Sequence, residues 1–278
     1  MRRVARWMEE HGLQLALAKT EIVILSGRRI ETIVPIRIGD QIIETKPSAV
    51  YLGVTIDTKL TFAEHIRKAT EKASVRVGQL SKIMANMRGP RPQVRRLLMS
   101  TVHSILLYGA EVWADAMRIQ KYRHGMEVVQ RRGALRIASS YRTVSGPAVL
   151  VIANVVPIDL LAFERKRTYD RTREIGKQRA AAEARASTLA TWQQRWAEGT
   201  KGRWTHRLVP SISEWAEREH GEVNFYLTQF LTGHGYFRKY LFNFCKSCEH
   251  DEDTAEHTFL TALGGTTHAN KLKRRSGL

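Results

Sequence analysis

The 278-residue chain carries 45 Lys and Arg residues against 27 Asp and Glu residues, a formal net charge of +18. A net charge of about 2–8 in magnitude is usual for a small domain, so this excess favours a polyanionic partner such as RNA or DNA. A membrane surface is the competing partner. No apolar run approaches the roughly 18 residues that a spanning helix needs, so we expect no membrane partner. The 43% of hydrophobic residues can form the core of one large or two modest domains.

The first 58 residues read as one helix followed by a small antiparallel sheet. Residues 5–17 begin as a helix that Gly12 could cap. Apolar runs rich in β-branched residues follow at 21–26, 33–38 and 50–56. The Gly39-Asp40 pair between two such runs predicts a hairpin.

From Thr61 onward the apolar spacing changes to three and four residues, which predicts helices. The first helix spans 62–87, with a capping-box pattern of Thr61 and Glu64 at its start and Gly89-Pro90 after its end. Its apolar positions are Phe62, Ile66, Ala69, Ala73, Val77, Leu80, Met84 and Met87. A second helix is predicted from about Gln93, with one face formed by Val94, Leu98, Val102, Ile105, Gly109, Val112 and Trp113. Further helices are predicted from Arg118 to Ala138, and after Pro147 with a break at Pro157.

A basic segment comes next. Residues 164–185 contain eight Lys or Arg residues against four acidic residues and read as a solvated helix or a linker. Trp192, Trp196, Trp204 and Trp215 follow, interleaved with arginines. Such aromatics can stack on unpaired bases, although burial in a helical core is the better expectation for any one of them. The polar, basic residues 264–278 are expected to be disordered.

Several segments, in their order along the chain, resemble the reverse transcriptases of non-LTR retrotransposons of the insect ribosomal-DNA (R1) type, over residues 4–260. They are Trp7, Gly12-Leu13, Lys19-Thr20-Glu21, Tyr51-Leu52-Gly53-Val54, Leu60-Thr61-Phe62 with His65-Ile66, residues 107–113 (LYGAEVW), Gln130-Arg131, residues 141–145 (YRTVS), residues 233–237 (GHGYF), and Cys245 and Cys248 with residues 253–257 (DTAEH). The resemblance implies an α+β, mainly α, fold with five parts. They are a palm remnant with a primer-grip hairpin (1–58), a helical thumb (59–160), a basic helical connector (161–230), a zinc-knuckle-like region (231–262) and a disordered tail (263–278).

The resemblance also implies an activity. The family members are RNA-directed DNA polymerases, nucleotidyltransferases that usually carry an endonuclease in the same polyprotein and act in the nucleus at a DNA target. A polymerase palm needs paired carboxylates to hold two Mg²⁺ ions, and no two aspartates are adjacent in this chain. The resemblance places that pair before Trp7. We therefore expect Mg²⁺ only in the intact polymerase, and a fragment that binds template and primer without catalysing polymerisation alone.

An alternative is a stand-alone, non-catalytic, basic nucleic-acid-binding protein. In the family Lys19 would lie near the incoming nucleotide and could protonate the leaving pyrophosphate. Otherwise it is a surface lysine at the start of a strand.

Two sets of residues are candidates for nucleic-acid contact. Tyr51, Leu52 and Gly53 would form the primer grip, since glycine lets a backbone approach closely; a buried edge strand with a bulge is the alternative. The polar face of the 62–87 helix carries Arg67, Lys68, Lys72 and Arg76. These side chains would contact phosphates without reading sequence, or would be a solvated helix face.

The two cysteines suggest a metal site. They stand three residues apart, a poor disulfide framework and a reasonable half-site for a metal in a reducing compartment. Cys245, Cys248 and His257 would bind Zn²⁺. The family's fourth ligand, usually Cys, would fall at Ala262. His250 is too close in sequence to replace it comfortably, whereas His268 is a possible substitute. The cysteines could also be part of local packing.

Overall fold

The computed structural model describes residues 2–13, 16, 19–38, 41–218 and 222–235. It begins with helix α1 (Arg2–Glu10), and Gly12 follows with a backbone φ of +68°. A positive φ is easily adopted by glycine and ends a helix. The prediction that Gly12 closes the first helix is therefore confirmed.

Two separate hairpins contain the four strands of the described region. Strand β1 (Pro35–Ile38) pairs antiparallel with β2 (Gln41–Glu44), and Ile38 lies opposite Gln41. This register confirms the hairpin predicted around residues 39–40. Strand β3 (Ser48–Tyr51) pairs with β4 (Val54–Asp57), so the apolar run 50–56 is a strand, a turn and a second strand.

The run at residues 21–26 was predicted to be a strand, and this prediction is wrong. The segment makes single backbone contacts instead of a ladder: the Ile22 carbonyl accepts from the Lys46 amide at 2.7 Å, and the Ser26 amide donates to the Thr58 carbonyl at 2.9 Å. These two bonds fasten it beside the second hairpin.

The rest of the described chain is helical. The helices are α2 (Ala63–Ile83), α3 (Pro92–Leu106), α4 (Ala110–Trp113), a 3₁₀ turn (Ala114–Arg118), α5 (Gln120–Ile137), α6 (Gly146–Ala153), α7 (Ile158–Ile175), α8 (Lys177–Glu198), α9 (Arg203–Leu208), α10 (Ile212–Glu217) and α11 (Phe225–Thr232). The expectation of an α+β, mainly α, fold with a small antiparallel component is confirmed. The predicted break near Pro157 is confirmed too, between α6 and α7.

The start of α2 differs from the predicted capping box. Phe62 precedes the helix with φ +56°, and Glu64 binds Ser48 and Lys68 instead of the helix end. The Asp57 carboxylate accepts from the amides of Thr61 (3.0 Å) and Phe62 (2.7 Å). Burial alone would raise the pKa of Asp57, but the hydrogen bonds from Thr61, with those from the Lys59 and Phe62 amides, hold it below its ordinary value. Asp57 thus fixes the turn that joins the sheet to the helix.

The single helix predicted from Gln93 to Trp113 is wrong as well. It ends at Leu106, and Gly109 with φ +65° redirects the chain into α4. Arg95, Met99, Val102 and Leu106 face the core, whereas Val94 and Val112 are exposed. The predicted face was therefore displaced by one residue at its start.

One continuous core joins the helices. Helix α2 packs against α3 and α5, and α7 packs along α8. The largest fully buried side chains include Trp113, Met84, Met99, Leu106, Met117 and Met126. Trp192 and Trp196 of α8 belong to the same core, which confirms the expectation that some of the tryptophans are structural.

Helix ends in this core are joined by polar side chains. The buried amide of Gln130 accepts from the Ile158 amide and donates to the Val156 carbonyl, both at 2.8 Å. Arg131 donates to the carbonyls of Arg142 and Val144, both at 2.6 Å. The Gln130-Arg131 pair and residues 141–145 therefore have a shared architectural role.

The basic segment 164–185 is part of a helical hairpin. Gly176, with φ +79°, separates α7 from α8, and ion pairs cross between them: Arg171 to Glu183 at 2.6 Å and Arg185 to Glu164 at 3.3 Å. Helix α7 begins at Ile158, so it runs without a break through residues 160 and 161, where the boundary between the thumb and the basic connector was expected.

Among the described helices, none alone is both long and apolar enough to cross a bilayer. Two bent pairs, α3 with residues 110–118 and α6 with α7, reach that length and composition only when joined.

Candidate nucleic-acid interface

A groove of about 580 Å³ lies where the second hairpin meets α2 and α3. It contains two of the predicted cations of α2 and the turn glycine of the hairpin. Its lining residues are Val50, Gly53, Thr55, His65, Lys68, Ala69, Lys72, Ser104, Ile105 and Tyr108. The structure therefore brings Gly53 of one predicted set together with Lys68 and Lys72 of the other, and adds a wall from α3 and the residues after it.

The hairpin is held in place by the segment 107–113. The Tyr108 hydroxyl donates to the Leu52 carbonyl at 2.9 Å, and the Trp113 indole donates to the Tyr108 carbonyl at 2.8 Å. A Cβ on Gly109 would lie 2.7 Å from a methyl group of Val54. The LYGAEVW segment thus fastens the hairpin to the helices. Tyr108 was not among the predicted site residues, although the family segment that contains it was recognised.

The conformation of the turn between β3 and β4 explains why residue 53 is a glycine. Leu52 and Gly53 both have positive φ, +46° and +81°, the signature of a two-residue type I′ turn. A Cβ on Gly53 would lie 2.9 Å from a ring carbon of Tyr108. The glycine therefore serves the turn and the packing of Tyr108, whose ring lies where a Cβ of residue 53 would be.

We expect Gly53→Ala to destabilise the hairpin through both causes. A left-handed conformation costs a non-glycine residue roughly 1–2 kcal/mol, and the contact with Tyr108 adds to it. In a Tyr108→Ala background the same change should cost less, because the contact is gone and only the backbone strain remains. Thermal unfolding of the four proteins of this cycle measures the coupling. Equal costs in both backgrounds would show that the ring does not matter.

The hairpin tip is unusually exposed for apolar side chains. Tyr51 is 67% exposed and Leu52 is 76% exposed, so the alternative of a buried edge strand is wrong. Isolated exposed apolar residues are ordinary, but here two adjacent ones stand at the mouth of a groove that contains two lysines. The tip can therefore contact a partner by its apolar surface.

The four predicted cations of α2 differ in their surroundings. Arg67 pairs with Glu71 at 2.8 Å, and Lys68 pairs with Glu64 at 2.9 Å. Lys72 and Arg76 are exposed and make no ion pair with any described residue. Because Lys68, Lys72 and Arg76 repeat every fourth residue, they share one face of the helix. Lys68 and Lys72 line the groove, Arg76 continues their face one turn beyond it, and Arg67 is not a lining residue.

Two histidines lie at or beside the groove: His65 is buried and lines it, and His103 is half-buried and precedes the lining residue Ser104. His65 accepts a hydrogen bond from the Thr55 amide at 3.3 Å. Burial lowers its pKa, an interaction with the Tyr108 backbone opposes this, and the charge of Lys68 lowers the pKa further. Burial and the charge of Arg165 likewise lower the pKa of His103. Both imidazoles are thus biased toward the neutral form.

The other candidates lie elsewhere. Lys19 is exposed in a turn in which its amide donates to the Ala16 carbonyl at 3.0 Å, and it does not line the groove. Cys245, Cys248, His257 and His268 lie outside the described residues. Within the described ranges, no group of three or more His, Cys, Asp or Glu side chains is arranged to hold a metal ion.

Comparison with known proteins finds relatives along most of the chain. The chain is 28% identical over 268 residues to a Retrovirus-related Pol polyprotein from type-1 retrotransposable element R1 of Nasonia vitripennis, covering 87% of this chain and 78% of that protein. It is also 28% identical to a putative 115 kDa protein in type-1 retrotransposable element R1DM of Drosophila melanogaster, covering 86% of this chain. The chain is a homologue of the R1 retrotransposon Pol polyproteins.

The share of each relative's length that the chain covers differs widely. It spans only 25% of the Drosophila melanogaster protein. A shorter match, 29% identical over 99 residues and covering 35% of this chain, is to a probable RNA-directed DNA polymerase from transposon BS of the same species. No family model matches the chain, and no solved structure matches it. The R1 Pol polyproteins among its relatives confirm the family resemblance read from the sequence.

Proposed function

We propose that this chain is the part of a retrotransposon reverse transcriptase that grips template and primer. The observation that supports it is the groove, which joins an exposed apolar hairpin tip to a stripe of cations on α2. The names of its homologues, Pol polyproteins and an RNA-directed DNA polymerase, supply the substrate class, RNA and DNA.

The chemistry of the groove suits a phosphate backbone. Lys72 and Arg76 are exposed cations without an acidic partner among the described residues, so no ion pair has to be broken before they contact phosphate. Contacts of this kind position a strand and carry no sequence information. The exposed Tyr51 and Leu52 would rest on the sugars or the terminal base of the primer.

The test is binding of a fluorescent primer–template duplex, RNA–DNA or DNA–DNA, measured by anisotropy across a salt series. Each phosphate contact to B-form DNA contributes about 0.9 to the slope of log affinity against log salt. We expect a steep slope and little preference among sequences. A flat salt dependence would show that the positive charge of the chain serves another purpose.

We expect the purified chain to be catalytically silent. Phosphoryl transfer in a polymerase uses two metal ions held by carboxylates, and this sequence has no adjacent aspartates. The measurement is primer extension on an RNA template in Mg²⁺ or Mn²⁺, with a heat-killed sample as control. Extension above that control would contradict the proposal, and Lys19 would then be the first side chain to replace.

We also propose that Cys245, Cys248 and His257 bind Zn²⁺, weakly because Ala262 stands at the family's fourth ligand position. Ligands bind deprotonated, so affinity should fall with pH through the thiol and imidazole range. Competition with a chromophoric chelator should show tighter binding for Ala262→Cys and weaker binding for Cys248→Ser. His268→Ala should weaken binding only if His268 completes the site. If neither Ala262→Cys nor Cys248→Ser changes the affinity, there is no metal site.

A further inference from the structure

A second cavity, of about 580 Å³, lies between α5, the start of α6 and α8. It shares no residue with the groove beside the hairpin. Its volume lies within the range of small-molecule sites in proteins, roughly 300–1,000 Å³. Trp192 and Trp196 line it, each only 3% exposed, so they form its floor and present no free face.

Apolar and cationic side chains line the rest of this cavity. Val128, Pro147 and Leu150 are among its apolar walls, and Arg131, Arg195 and Lys201 are its Lys and Arg residues. Cationic side chains outnumber carboxylates in the lining. Glu127 is the one carboxylate among the lining residues, and it already pairs with Arg123 at 3.2 Å. The cavity therefore combines an apolar interior with a positive rim.

The cations at the rim differ in how far they are already engaged. Arg195 pairs with the buried Asp159 at 2.7 Å, and Arg131 donates to two backbone carbonyls. Lys201 is exposed and has no ion pair with any described residue. Lys201 is thus the cation that an incoming anion can engage without breaking an existing ion pair.

One polar side chain of the cavity lining, that of Ser145, is left without a hydrogen bond. The Ser145 hydroxyl is buried, lines the cavity and has no hydrogen-bond partner. Ser145 is also the residue before α6, and its side chain makes no cap to that helix. A buried hydroxyl without a partner costs free energy, and a bound group that accepts its proton would remove this cost.

We propose that this cavity holds one nucleotide of an unpaired strand, with the base against Val128, Pro147 and Leu150 and the phosphate between Lys201 and Ser145. The partner class rests on the proposed function, while the site is separate from the groove. A base inside a duplex cannot enter the cavity, so the site distinguishes single from double strands.

The experiment fills the cavity and compares two probes. The variant is Val128→Trp, which puts a larger side chain at a lining position that is 44% exposed, and the matched control is Leu97→Trp, an exposed apolar position on α3 that lines neither site. The probes are a fluorescent oligo(dT) strand and a duplex of the same length, measured at one salt concentration. If the base occupies this space, Val128→Trp should weaken oligo(dT) binding about fivefold or more, which corresponds to about 1 kcal/mol. Duplex binding should change little.

A second variant, at the surface, tests the site even if Val128→Trp fails to fold. Lys201→Glu should weaken oligo(dT) binding more than Lys177→Glu, an exposed lysine at the start of α8 with the same change of charge. If both pairs of variants bind oligo(dT) equally, the cavity inference is wrong and the groove proposal stands. If thymidine monophosphate alone binds more tightly than the strand, the site belongs to a free nucleotide, and the inference is again overturned. Loss of duplex binding on changing Lys72 and Arg76 tests the groove independently.

Discussion

Replacing Lys72 and Arg76 together with alanine should reduce the slope of log affinity against log salt by about 1.8 for B-form DNA, at about 0.9 per lost phosphate contact. The reason is their place in the structure: both are exposed on the face of α2 that borders the groove, without an acidic partner among the described residues. The measurement is anisotropy of a labelled duplex between about 50 and 200 mM salt.

The matched control is the pair Arg173→Ala and Lys177→Ala, which removes the same charge from exposed positions at the turn between α7 and α8. A general loss of positive potential would lower affinity in both double variants equally. A local interface requires the slope to fall only when the groove residues are changed. Equal slopes for the two variants would refute the groove as the binding surface.

The structure also ranks the remaining cations. Arg67 and Lys68 already pair with Glu71 and Glu64 at less than 3 Å. Exposed ion pairs of this kind are worth little, but binding phosphate would exchange one partner for another. Single alanine variants of Arg67 and Lys68 should therefore change the slope less than those of Lys72 and Arg76. Sequence alone, which gave the four residues equal standing, could not make this distinction.

Helical segments with a clear three-and-four spacing were the most predictable part of the fold. Residues 118–138 were predicted as a helix and form α5 between Gln120 and Ile137. The burial of Ile66, Ala69, Ala73 and Val77 follows the predicted face of α2. In these places local periodicity and tertiary packing agree, which is the condition under which a pattern is reliable.

The errors arose where a long-range contact decides the local structure. The capping-box pattern of Thr61 and Glu64 was overridden because Asp57 takes the amides at the start of α2, while Glu64 is drawn to Lys68 and Ser48. Helix α3 ends at Leu106, and Gly109 starts α4 with a positive φ where a Cβ would lie 2.7 Å from Val54 of the hairpin. Neither contact has a signature within a short window of sequence.

In the candidate site, too, local sequence patterns identified some residues, whereas the roles that depend on long-range contacts were missed. The sequence identified Gly53, Lys68 and Lys72, which the fold brings to one groove. It assigned Gly53 to the approach of nucleic acid, and the structure adds a second role for this glycine, in a type I′ turn beneath the ring of Tyr108. The segment that carries Tyr108 was recognised only as a family motif. Its role became visible when the hairpin was placed against the helices.

A buried arginine near the ends of three helices leads to the largest stability prediction. Arg95 is 3% exposed, and its guanidinium donates to the carbonyls of Pro90 (2.6 Å), Ala85 (2.6 Å) and Arg136 (2.8 Å). Carbonyls at the carboxyl ends of helices carry partial negative charge, and the Arg136 carbonyl lies in the last turn of α5. It helps to compensate a cation that has no carboxylate partner among the described residues. Burial lowers the pKa of Arg95, and the charge of Arg136 lowers it further.

Arg95→Ala should destabilise the protein by at least about 3 kcal/mol, because each carbonyl left without a partner costs about 1–3 kcal/mol. For a chain of this size the expected fall in melting temperature is roughly 6–12 °C. Arg95→Lys should recover part of the loss, since the ammonium keeps the charge but cannot reach three carbonyls in the plane of a guanidinium. The control is Arg91→Ala, an exposed arginine just before α3, which should change stability by less than about 0.5 kcal/mol. If Arg95→Ala and Arg91→Ala unfold at the same temperature, the buried guanidinium does not hold these helix ends together.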